Sequence, residues 1–109
     1  MTGNLPQLGP VLDELSAALR QVYGERFVGL IVYGSYARGD AHAESDLDLL
    51  LVLRDIVSPT REIDQVTDIL ADFNLRFGIL LSLLPVTEEA LQQAEGPFWK
   101  NVRREGIAA

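Results

Sequence analysis

Residues 33–53 read YGSYARGDAHAESDLDLLLVL. A Gly34-Ser35 turn opens the stretch and an apolar run, Leu47 to Leu53, closes it. Between them Asp46 and Asp48 carry two like charges to the mouth of that run. Strand side chains alternate faces, so the two carboxylates point the same way, about 6 to 7 Å apart along the strand, and Leu47 and Leu49 point the other way. Carboxylates at i and i+2 repel each other, and burying them unpaired is costly. A divalent cation compensates them directly, because Mg2+ takes hard oxygen ligands and commonly uses one or two carboxylates plus substrate phosphates. Gly34 and Ser35 supply the complementary feature. They follow an apolar segment and lead into a helical turn at Tyr36-Ala37-Arg38-Gly39. Free N–H groups at such a turn seat an anion, Gly permits close approach, and Ser35 adds a hydroxyl. An anion seat beside a cation site is what a nucleoside triphosphate with bound Mg2+ requires. Asp-x-Asp or Gly-Ser alone carries little specificity; their order and spacing together carry the reading.

The rest of the chain limits the alternatives. It has 109 residues, of which 48% are apolar, so one domain with a real core (1–109) is the expectation. There is no cysteine, which excludes disulfides and thiolate metal sites and fits a reducing, cytoplasmic setting. The first ten residues, MTGNLPQLGP, lack the basic and apolar segments of a signal peptide, and the first few are expected to fray. No apolar run approaches the ~20 residues of a membrane span, so no membrane role is expected. The net charge is −7 and the pI about 4.5, which disfavours direct binding of nucleic acid. Lys100, Arg103 and Arg104 form the single basic cluster.

Helical spacing of Leu8, Val11, Leu12, Leu15, Leu19 and Val22 predicts a helix over Leu8 to Tyr23, with Pro10 in its first turn and Gly24 as its stop. Phe27 to Tyr33 and Leu47 to Leu53 read as strands buried on both faces. Ser58 caps and Pro59 opens a second long helix, with Asn74 to Gly78 as the turn out of it. Ile79 to Val86 is a third strand, placed for a parallel crossover from the second. Thr87 caps a short helix, Gly96-Pro97 breaks it, and Phe98 to Glu105 forms the last helix, stopped by Gly106. The order predicts an α/β (α+β) fold, a small mixed β-sheet with helices packed against it.

Gly34-Ser35, Ala37-Arg38-Gly39 and Ser45-Asp46-Leu47-Asp48 before an apolar strand resemble the G-S-x-A-R-G … S-D-x-D signature of the DNA polymerase beta superfamily of nucleotidyltransferases. In length and element order the chain is similar to the minimal nucleotidyltransferases, which are often encoded beside HEPN toxins. The resemblance implies a nucleotidyltransferase fold and a division of roles. Gly34 and Ser35, with Arg38 near them, hold the nucleotide, while Asp46 and Asp48 hold Mg2+ and are the catalytic pair. Ser45 orients the loop into the strand. The implied reaction moves AMP from ATP to a hydroxyl, a tyrosine of a HEPN-type toxin partner, with the chain as antitoxin.

Active members of that superfamily carry a third carboxylate on a later strand. Here that strand has no Asp or Glu, and its internal polar residue is Ser82, a poor ligand and no base at neutral pH. Two readings stay open from this: an enzyme, or a nucleotide-binding module that neutralises its partner by binding alone. Glu88 and Glu89 read as helix-start charges and Asp72 as solvated. His42, beside Asp40 and Glu44 in the spacer, reads as an exposed loop residue. Phe98 and Trp99 read as core residues, with a partner anchor as the alternative. Tyr33 and Tyr36 read as packing residues beside the Gly-Ser turn, with stacking near a base as the alternative. A small chain gains from self-association, so a homo-oligomer is compatible with the sequence.

Overall fold

A computed structural model describes residues 5–39 and 46–109, with the side chains of residues 5–7 left aside. The readings of His42, Asp40, Glu44, Ser45 and the first few residues fall outside the described residues. The elements are α1 (Leu5–Tyr23), β1 (Phe27–Tyr33), α2 (Ser35–Arg38), β2 (Leu47–Leu53), α3 (Pro59–Phe77), β3 (Leu81–Thr87), α4 (Glu88–Gln93), α5 (Pro97–Glu105) and β4 (Ile107–Ala108). A single 3-10 turn, Gly24–Arg26, joins α1 to β1.

The sheet order is β3-β2-β1-β4. The β1–β2 and β1–β4 pairs are antiparallel, and β2–β3 is parallel, as the helical crossover through α3 requires. This mixed sheet with helices on it is the predicted architecture.

The alternation of β2 organises the core. Leu47, Leu49, Leu51 and Leu53 face α1 and α3 and are buried with Leu15, Leu19, Val66 and Phe73. Leu50 and Val52 face the other way, buried with Val86 and Val102 under α4 and α5. The central strand is therefore covered on both sides, which explains its almost unbroken run of leucine. Asp48 is its one polar position. It belongs to the α4/α5 face and is half-buried at that face's open end.

Several predicted boundaries shift. The first helix begins at Leu5, so Pro10 lies inside it, past the first turn, where its missing N–H removes one backbone bond. The second long helix runs on through Asn74 to Phe77; Gly78, at φ +68, takes the left-handed position that ends it. The third strand starts at Leu81 and reaches Thr87, whose hydroxyl accepts from the Ala90 amide and caps α4. Gly106 is followed by a two-residue strand, β4, that the sequence reading did not include. Among the described residues no helix is long and apolar enough to cross a membrane.

Candidate active site

The opening stretch folds back on itself because β1 and β2 are antiparallel neighbours. Tyr33 pairs with Asp48, and Asp48 pairs with Ser82 on its other side. Cross-strand partners share a face, so Tyr33, Asp48 and Ser82 form one row across the sheet. Asp46 stands one residue before β2 and is exposed.

Gly34 leaves β1 at φ +75 and ψ −149, a conformation open to glycine. Its lack of a side chain has a second reason. A Cβ built there would collide with the Asp48 carboxylate, which occupies the space against the Gly34 backbone. Gly34 and Asp48, 14 positions apart in the sequence, are thus in direct apposition. After Gly34 the chain makes one helical turn, with the Arg38 amide donating to the Gly34 carbonyl at 3.1 Å and Gly39 closing it at φ +81. The first amides of such a turn have no carbonyl within it to bond. Ser35 is half-buried beside them, and Arg38 is exposed.

Electrostatics single out Asp48. Its carboxyl is held above the ordinary carboxylate value, first by partial burial and then by the negative charge of Asp46; the Arg38 guanidinium pulls the other way. Burial, followed by the Asp48 charge, likewise raises the Tyr33 hydroxyl. Asp48, against backbone approached as closely as only glycine allows, and the exposed Asp46 that repels it are residues that could together hold a hard divalent cation. Phosphate oxygens and water would complete its shell. Asp46 and Asp48 could hold such an ion, and Gly34 stands directly against Asp48.

The row also locates the missing acid. Ser82 occupies the β3 position beside Asp48, exposed and on the same face. Among the described residues no three Asp, Glu or His side chains converge on one point. Glu88 and Glu89 lie in the first turn of α4. Asp72 accepts from Arg76 at 3.1 Å on the surface of α3.

The sequence reading did not foresee a cleft of about 210 Å³ beside this row, between the Tyr33–Arg38 segment and α5. Phe98, Asn101 and Glu105 line its α5 wall. The basic cluster resolves into separate tasks: Arg103 donates to the Leu91 and Ala94 carbonyls at 2.9 and 2.7 Å, tying down the end of α4, and Arg104 donates to Asn101 at 2.7 Å. Trp99 packs on the α4/α5 core and Tyr36 on the α1/α3 core, as read, whereas Phe98 stays 40% exposed.

Residues 12–96 match the nucleotidyltransferase domain family. Two proteins of Methanocaldococcus jannaschii, provisionally named protein adenylyltransferases, are 38% identical over 78 residues and 33% identical over 96. The first match covers 69% of this chain and 52% of the relative, so the chain spans about half of that protein's length. The second covers 87% and 90%. Protein adenylyltransferase MntA of Thermococcus cleftensis is 31% identical over 71% of this chain and 76% of its own. With the family match spanning most of the chain and the relatives aligned across it, the chain belongs to the nucleotidyltransferase domain family, among its minimal nucleotidyltransferases.

Proposed function

We propose that the chain is a divalent-metal-dependent adenylyltransferase that moves AMP from ATP to a protein hydroxyl, with Mg2+ as the metal. The observation that supports this reading is the apposition of Asp48 to Gly34, which sets one of the two carboxylates against the Gly-Ser turn. The names of the relatives support a protein acceptor and an adenylyl group. The acceptor is read as a tyrosine on a HEPN-type toxin, which the modification silences.

In the step itself the acceptor oxygen bonds to the α-phosphorus, the bond from that phosphorus to the bridging oxygen breaks, and pyrophosphate leaves with the electron pair. Gly34 and Ser35 hold the outgoing phosphates, Arg38 offers positive charge beside them, and Asp46 and Asp48 hold the cation. A bound divalent ion supplies charge stabilisation at the phosphoryl oxygens. Ser82 takes no proton at neutral pH, so the hydroxyl proton leaves to solvent or to a base of the partner. A positioned base is worth about 10² to 10⁴-fold, and transfer without one from the partner is correspondingly slow.

The same Ser82 favours a second reading, in which the chain binds nucleotide and neutralises its partner by contact alone. Incubation with labelled ATP, Mg2+ and the partner separates the two. A labelled adduct, mapped by mass spectrometry to a tyrosine and lost in Asp46→Asn/Asp48→Asn, is the expected result. Complex formation without label supports contact alone. Unchanged Mg·ATP affinity of the double variant by calorimetry contradicts both.

A further inference from the structure

We propose that the cleft between α2 and α5 holds the nucleobase, an adenine stacked on Phe98, with its amino group bonded to Glu105 and a ring nitrogen to Asn101. The inference rests on the nucleotide reading above and extends it from the phosphates to the base.

The position of the cleft comes first. Gly34 and Arg38 belong both to the phosphate seat and to the cleft wall. A nucleotide with its phosphates at Gly34 therefore has this space directly beside it. The cleft lies on the Tyr33 side of Asp48, and Ser82 is not part of its lining. Its volume, about 210 Å³, is below the roughly 300 Å³ where sites for drug-sized ligands begin. It suits one base rather than a whole second substrate.

The chemistry of the wall fits a base. Phe98 exposes 40% of its surface, an unusual state for a ring beside a buried cluster. Its orientation is fixed by edge-to-face contacts, with centroids 5.6 Å from Tyr33 and 5.3 Å from Trp99. A ring held in place and open to solvent is a stacking platform. Asn101 and Glu105 stand four residues apart on α5, one above the other on one helix face. The Asn101 Oδ1 accepts from the Arg104 guanidinium at 2.7 Å, which turns its amide nitrogen, a donor, toward other partners. Arg104 reaches the Glu105 carboxylate only at 3.4 Å, leaving that group with acceptor capacity. A donor beside an acceptor is complementary to the amino and ring-nitrogen edge of adenine. The carboxylate also sets polarity, because phosphates facing Glu105 would meet like charge, so the triphosphate must point toward Arg38.

Calorimetry with three Mg2+-loaded probes tests this: ATP, purine riboside triphosphate, which lacks the amino group, and inorganic triphosphate. ATP is expected to bind about tenfold or more tighter than inorganic triphosphate. Phe98→Ala and Asn101→Ala should each bring ATP toward the triphosphate value while leaving triphosphate unchanged. That unchanged value also shows the variants to be folded, and the exposed Asn101 serves if the Phe98 variant is not. Glu105→Ala should erase the preference for ATP over the purine analogue. If inorganic triphosphate binds as tightly as ATP, or the α5 variants leave the ATP-to-triphosphate ratio unchanged, the base lies elsewhere and the phosphate seat stands. If neither probe binds, the nucleotide reading itself is overturned, and this one with it.

Discussion

Asp48 concentrates the conflict between stability and function at a single carboxyl. Partial burial and the Asp46 charge both raise its pKa above the ordinary carboxylate value. A carboxyl raised in the folded state is one whose ionised form the fold disfavours, so at neutral pH the charge destabilises the protein when no cation is bound. Asp48→Asn keeps the shape and removes the charge. Without metal the variant is expected to be more stable than the parent by up to about 1 kcal/mol, read as a higher urea midpoint at unchanged slope. With Mg·ATP present the order should reverse, because ligand stabilises only the parent. A metal-free variant that is less stable than the parent contradicts this account of Asp48.

At the scale of elements, the end of the sheet far from the site is held by a polar junction. Glu62, near the start of α3, is 5% exposed. Arg26, before β1, donates to it at 2.5 Å and to Asp55, after β2, at 2.8 Å. The Tyr23 hydroxyl at the end of α1 donates to the Glu62 carbonyl at 2.9 Å. One Glu62 oxygen, Oε1, is buried without a partner among the described residues. Arg26 therefore compensates a charge that is already incompletely satisfied. Arg26→Met is expected to cost about 2 kcal/mol, below the range for fully buried pairs because Arg26 is partly exposed. Arg26→Met/Glu62→Leu should be more stable than Arg26→Met alone, since it removes the orphaned charge as well. Urea denaturation of the three proteins decides it, and a double variant less stable than the single one refutes the reading. This junction was not legible in the sequence, because Arg26, Asp55 and Glu62 meet only once β1 and β2 are in register. The strands themselves were legible as strands, but of the two read as buried on both faces only β2 is: β1 buries Phe27, Leu30 and Val32 while Val28 is exposed and Gly29, Ile31 and Tyr33 are half-buried, because its other face is incompletely covered. Legible too were the caps Ser58 and Thr87, which are local chemistry. The two residues of β4 show no periodicity to read, and the α5 wall of the cleft depends on how a helix lands on a sheet some 65 residues away from Gly34. The carboxylates were legible as residues; the contact of Asp48 with Gly34 was not, because it is a product of strand register.

The whole molecule sets the terms on which an anionic substrate approaches. A net charge of −7 repels a nucleoside triphosphate at distance, while the groups that would favour it in the proposed site, Arg38 and the amides after Gly34, act only at close range. Two consequences differ from those of a basic nucleotide-binding protein. Chelation of divalent metal should abolish ATP binding outright, since Asp46 and Asp48 then add repulsion at the seat itself. The association rate of Mg·ATP should also rise with monovalent salt, because screening shortens the reach of the long-range repulsion (the Debye length is about 10 Å at about 0.1 M) and leaves contacts at bonding distance largely intact. Stopped-flow mixing with a fluorescent ATP analogue at constant free Mg2+ measures this directly. A rate that falls as salt rises would mean that a local positive field around Arg38 outweighs the acidic surface, and that the protein steers its nucleotide instead of relying on the cation to carry it in.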